Sequence, residues 1–179
     1  MRNKERELGH DDLIEIGRKW LSNFSPVVLT EISGCSEEPD VFGLDANIKH
    51  RDNSVISEIH YGSTLIECKT TRADFLNDSK KLFRECPERG IAKYRYYLTP
   101  KGLLKPEEIP EGWGLLETTG KRVKKIKLPI AFYNYNLKNE MNIIISAFRR
   151  LRIPEGNHCS IRAYTHETKN RASITIDKE

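Results

Sequence analysis

The sequence has no long hydrophobic run. Nowhere do its apolar residues approach the roughly 20 in succession that cross a bilayer, so no membrane-spanning helix is expected. It lacks an apolar leader, since Met1 to Glu7 is polar and charged, which argues against a secretory signal. Its four cysteines (Cys35, Cys68, Cys86 and Cys159) are dispersed and form no CxxC pair, which reads as reduced thiols in a cytoplasmic protein. His158 and Cys159 have no spacing that supports a zinc site, and His50, His60 and His166 have no partner at ligand spacing. Charge of one sign is also in short supply. Thirty Lys and Arg against 26 Asp and Glu leave a net charge of +4, which barely favours a polyanionic partner. No internal repeat and no linker divides the 179 residues, so one domain is expected over 1–179, with a core at about 8–118 and an extension at 119–179.

What is present is an ordinary globular composition, 37% hydrophobic and 31% charged, too apolar for disorder. The positive charge is clustered. Lys121, Arg122, Lys124, Lys125 and Lys127 fill five of seven positions, and Arg149, Arg150 and Arg152 form a second group. Such runs either meet phosphates or form a solvated face.

Leu8, Leu13, Ile16, Trp20 and Leu21 recur at helical spacing, with Asp11 and Asp12 near the positive end of the helix they predict. Val27 to Ile32 and Val41 to Ile48 read as a hairpin, and Ser63 to Thr70 as the clearest strand. Thr71-Arg72-Ala73-Asp74 has the form of a helix N-terminus. Phe75, Leu76, Ser79, Leu82 and Phe83 then predict one buried helix face, ended by Pro87 and Gly90. Strands are predicted at Tyr94 to Thr99, Trp113 to Thr118 and over the basic stretch up to Pro129, and a last helix from Leu137 to Leu151. This order implies an α/β fold, a central mixed sheet flanked by helices.

Side chains alternate along a strand, so Glu67 and Lys69 share one face and Cys68 packs on the other. Pro39-Asp40 opens the preceding strand, where proline suits the first position. If the two strands are neighbours, Asp40 comes beside Glu67 and Lys69. Two carboxylates are hard ligands suited to Mg²⁺ or Mn²⁺, and a lysine beside them can orient or deprotonate water and offset charge on a phosphate. Glu31, late on the first strand, is a further acid for the metal, or a surface glutamate. Asp45 is the rival to Asp40: an unbroken strand puts it on the opposite face, and a bulge at Gly43 would reverse that. Glu15 approaches the site from the first helix or lies in solvent. Arg72, Lys80 and Lys81 are phosphate contacts or solvated charges. Tyr94, Tyr96 and Tyr97 stack on bases or, for most of them, pack in the core.

Asp40 with its preceding proline, followed 27 residues later by Glu67-Cys68-Lys69, resembles the PD-(D/E)xK nuclease pattern of restriction-endonuclease-like proteins. The segment Leu65 to Phe75 is similar to the site strand and following helix of a bacterial and phage branch that includes the MmcB-like DNA-repair proteins. The similarity runs on through Lys80-Lys81, Tyr94 to Leu98 and Trp113 to Leu116, covering roughly residues 10 to 118. The resemblance implies an αβββαβ core and metal-dependent cleavage of DNA, with Asp40, Glu67 and Lys69 catalytic. Some members are inactive or act on other nucleic acids, and a protein-interaction module is a third option. A homodimer would supply the two sites needed to cut two strands, although no dimer helix is identifiable.

Overall fold

The computed structural model describes residues 7–34, 37–45 and 62–150, and the backbone of Cys159–Ala163 and Ile174–Lys178. His50, His60, His158, His166, Cys35 and Arg152, the Cys159 side chain, and residues 46–48 of the expected second strand lie outside that description.

Helix α1 (His10–Leu21) is followed by β1 (Val27–Thr30), β2 (Val41–Asp45) and β3 (Gly62–Cys68). Then come α2 (Arg72–Asp78), α3 (Leu82–Glu85), β4 (Tyr94–Pro100), β5 (Gly114–Thr118), β6 (Val123–Lys127) and α4 (Leu137–Arg150). A separate two-stranded sheet pairs β7 (Cys159–Ala163) with β8 (Ile174–Lys178). The main sheet has six strands in sequence order, β1 to β6. Strands β1, β2 and β3 are antiparallel, β3–β4 and β4–β5 are parallel, and β6 returns antiparallel. It is a mixed sheet with flanking helices, and β6 and α4 continue the same structure rather than standing apart from it.

Both faces of the sheet carry a core. Leu13, Ile14 and Leu21 of α1 cover Val41, Ile66, Cys68, Tyr96, Leu98 and Leu116 on one side. Phe75 of α2 and Ile143 of α4 cover Phe42, Leu65, Tyr97 and Leu115 on the other. Strand β3 is therefore buried on both faces, as its hydrophobic flanks require. At the edge of the sheet, β6 exposes Lys124 and Lys125, which discourages pairing with another strand.

One alternative closes and one expectation changes. Gly43 marks no bulge: β2 pairs with β3 in unbroken register from Val41–Ile66 to Asp45–Gly62. The glycine is needed for close approach, because a Cβ there would lie 2.7 Å from Leu21 Cδ2 and 2.8 Å from Ser25 Oγ. The expected single helix face after the third strand is broken. Phe75 is buried, but Leu76 and Leu82 are 53% and 51% exposed. The helix stops at Asp78 and the chain restarts as α3. A continuous helix would carry Arg84, six residues after Asp78, about 240° around the axis. The break instead brings Arg84 back onto the Asp78 carboxylate at 2.7 Å.

Candidate functional site

Antiparallel pairing of β2 with β3 sets the start of β2 beside the end of β3, so Asp40, Glu67 and Lys69 meet at one end of the sheet. Asp40 is fixed there by the Cys68 amide, which donates to its Oδ2 at 2.6 Å. Its Oδ1 lies 3.4 Å from His10 Nε2, at the first turn of α1. Cys68 points the other way, into the α1 core, where burial first and then the nearby Asp40 push its thiol up and leave it inert.

Glu67 and Lys69 are 2% and 5% exposed, and Lys69 Nζ donates to Glu67 Oε2 at 3.1 Å. A pair of charges so deep needs further partners, and the break between α2 and α3 supplies them. Asp78 Oδ1 lies 3.3 Å from Lys69 Nζ and 2.8 Å from Lys81 Nζ. Its Oδ2 accepts from Arg84 Nε and from the Tyr97 hydroxyl, each at 2.7 Å. Arg84 reaches Glu67 Oε1 at 3.4 Å and Glu37 Oε1 at 2.6 Å, and its guanidinium lies over the Trp113 ring at 4.3 Å. Lys81 Nζ is 4.0 Å from Glu67 Oε2, and its side chain is 44% exposed, so it is the arm of the cluster that reaches solvent.

The charges here respond to burial and to one another. Burial first, opposed by Arg84 but assisted by Asp40, pushes the Glu67 carboxyl up to about 7. Burial works the same way on Asp78, yet Arg84, Lys81 and Lys69 outweigh it and hold that carboxyl well below the usual range. Burial opposes the charge on Lys69 too, but Glu67 and Asp78 hold its ammonium above the ordinary lysine range. Lys69 and Arg84 thus gain from the Glu67 charge while Glu67 itself resists ionising. The upward direction for Glu67 follows from the desolvation of a fully buried carboxylate.

Of the acids weighed beside Asp40 (Glu31, Asp45 and Glu15), none is gathered into this cluster. Glu31 is exposed with φ at 48°, and it is its amide that meets Asp40, donating to the Asp40 carbonyl at 3.1 Å. The turn after β1 directs the backbone, not the carboxylate, toward the site. Asp45 sits at the far end of β2, on the α1 face, where it accepts from Ser25 Oγ and from Thr64 Oγ1 at 3.3 Å. Unbroken strand parity keeps it from Asp40's position. Glu15 pairs with Arg18 and Lys19 on the outer face of α1.

Thr71 caps α2 by accepting from the Asp74 amide at 3.2 Å. Arg72 is engaged by Glu108 of the 3₁₀ turn Pro106–Glu108. Lys80 is exposed. Tyr97 stacks on Trp113 at 4.5 Å and Tyr96 lies edge-on to Trp20 at 5.7 Å, so both are packing residues. In the basic strand, Lys121, Arg122 and Lys124 are exposed, while Lys125 lies over the Trp20 and Phe24 rings at 5.5 and 5.3 Å.

The residues that sequence reasoning missed are Glu37, Asp78, Arg84 and His10. Asp78 had a signal, a carboxylate three residues after Phe75 on the buried face of the helix. Glu37 had none, because its partners are 47 and 54 residues away.

For a divalent cation the donors on hand are the carboxylates of Asp40 and Glu67. Glu67 Oε1 is buried and accepts no hydrogen bond, so it has an acceptor to offer. Among the described residues, no group of three or more His, Cys, Asp or Glu is gathered to hold a metal. An ion taken up by these two carboxylates alone would need water to complete its coordination, as Mg²⁺ commonly does.

No family model matches the chain, and no curated protein matches it. No helix among the described residues is long and apolar enough to cross a membrane. A solved structure, the SPO1766 protein of unknown function from Silicibacter pomeroyi, is similar over 82% of this chain and 90% of its own, with a TM-score of 0.56 and 18% identity. At that identity the likeness is one of fold: the chain has the α/β architecture of a mixed six-stranded sheet with flanking helices.

Proposed function

We propose that this protein is a metal-dependent nuclease of the PD-(D/E)xK superfamily that hydrolyses phosphodiester bonds of DNA, in repair, recombination or mobile-element defence or counter-defence. The observation that carries the reading is the meeting of Asp40, Glu67 and Lys69 at one end of the sheet, from strands that approach in opposite directions. The element order α1-β1-β2-β3-α2-β4 supports the restriction-endonuclease-like core that the resemblance implies.

In this reading Asp40 and Glu67 hold Mg²⁺ or Mn²⁺. When bound, such an ion lowers the pKa of a water and offsets charge on the phosphate. The Cys68 amide orients Asp40 by its hydrogen bond. Lys69, held between two carboxylates, acts as a fixed cation facing the charge that accumulates on the phosphate oxygens. Lys81 is placed to meet a phosphate at the mouth of the site. Lys80, Lys121, Arg122 and Lys124 are exposed cations for the DNA backbone. Lys125 sits over aromatic rings and Arg72 is tied to Glu108, so both contribute less.

A second reading is favoured by the charge balance at Glu67, where Lys69, Lys81 and Arg84 offset Glu37, Glu67 and Asp78 without any ion. On that reading the protein binds nucleic acid or a protein partner and does not cut. Incubation of single-stranded, double-stranded and branched DNA, and of RNA, with the protein and Mn²⁺ separates the two. The nuclease predicts cleavage lost by at least about 100-fold in Asp40→Ala, Glu67→Ala and Lys69→Ala, with the fold retained by circular dichroism. Salt-dependent binding without cleavage of any substrate would favour the second reading.

A further inference from the structure

We infer that Asp78 is a positioning residue of this site, holding Lys69 in place when Glu67 turns to a metal ion. The inference rests on the nuclease reading and adds a residue to it. Lys69 has a long, flexible side chain, and its ammonium is directed by two anions, Glu67 Oε2 at 3.1 Å and Asp78 Oδ1 at 3.3 Å. A carboxylate that ligates a metal gives up much of its hold on a neighbouring ammonium. Once Glu67 does so, Asp78 is the anion left to keep Lys69 at the reacting phosphate.

Asp78 is built to stay where it is. It is 2% exposed and closes α2, whose first turn is capped by Thr71 two residues after Lys69. Its Oδ2 is locked by the Tyr97 hydroxyl and by Arg84 Nε. Tyr97 is stacked on Trp113, and Arg84 is tied to Glu37 and lies over Trp113. The Tyr97 hydroxyl and the Arg84–Glu37 pair do not run through Glu67, although Arg84 also lies 3.4 Å from Glu67 Oε1. Its Oδ1, by contrast, makes no aligned hydrogen bond and faces the Lys69 and Lys81 ammonium groups, so its charge is turned toward the site. That oxygen faces one buried lysine, Lys69, and one half-exposed lysine, Lys81, and so links the interior of the cluster to its solvent side.

Two measurements test this on the full chain. The first needs no activity. In ¹⁵N-lysine spectra of the metal-free protein near pH 6, the Lys69 ammonium gives a slowly exchanging signal, assigned by its loss in Lys69→Arg. That signal persists in Glu67→Gln, where Asp78 is the anion left to hold Lys69, and disappears in the Glu67→Gln/Asp78→Asn double variant. The second is kinetic, with Mn²⁺ and a labelled oligonucleotide. Asp78→Asn lowers kcat by about 10- to 100-fold with KM within about threefold, and Asp78→Glu recovers part of the loss. If Asp78→Asn does not fold, Tyr97→Phe removes one anchor and lowers kcat by about three- to tenfold at unchanged KM. A Lys69 signal lost in Glu67→Gln or kept in the double variant, or a cutting enzyme whose kcat is untouched by the Asp78 and Tyr97 variants, overturns the inference. A wild type that cuts nothing overturns the nuclease reading beneath it, whatever the Lys69 signal shows.

Discussion

Glu67 concentrates the conflict in this protein, because it is a carboxylate placed where ionising is costly. Its carboxyl is raised from an ordinary 4.5 to about 7, mainly by burial. The folded chain therefore keeps a proton there that the unfolded chain has already released. The stabilising contribution is whole below pH 4.5 and is lost as pH rises through 7. Glu67→Gln carries no charge at any pH, so it should lose less stability than wild type between pH 5 and pH 8. The difference is about 2 kcal/mol, read from urea unfolding at the two values. An identical pH dependence in both proteins would mean that Glu67 is ionised at no cost. Asp78 is the opposite case, a buried carboxylate whose cations more than offset its burial. Two neighbouring buried acids are thus pushed in opposite directions by their surroundings, as acids at functional sites often are.

At the scale of elements, α2 sets the geometry. Its Thr71 cap fixes where the helix starts after Lys69, and Asp78 at its other end gathers Lys69, Lys81 and Arg84. Thr71→Ala should cost about 1 kcal/mol in thermal unfolding, the usual loss of a cap. A cost near zero would show that the cap does not hold the start of α2. Much of this element was legible in the residues. Strand alternation placed Glu67 and Lys69 on one face and Cys68 in the core, and Thr71 to Asp74 announced the cap. The break at Asp78 was not legible, since apolar spacing through Phe75, Leu76, Leu82 and Phe83 reads as one helix. What overrides it is a tertiary demand, the attraction of Arg84 to Asp78 and Glu37. Gly43 left a bulge open beside the unbroken strand because sequence marks a glycine's freedom, while its need here is the close approach of Leu21 and Ser25.

In the whole molecule, the sheet divides two cores and brings the end of β1, the start of β2 and the end of β3 to one edge. That edge carries Asp40, Glu67 and Lys69, with His10 of α1 on one side and Lys81 on the other. The basic residues of β6 lie three strands away, so the site's own charge pattern, not the net charge of +4, defines where phosphate would meet the protein. The account turns on whether Asp40 and Glu67 share a divalent ion. Anomalous diffraction from crystals soaked in Mn²⁺ measures this directly. The account predicts one manganese peak between the Asp40 and Glu67 carboxylates, with Lys69 still against Asp78. Crystals in which Mn²⁺ at saturating concentration leaves that position empty, with Glu67 still paired to Lys69 and Arg84, would contradict it.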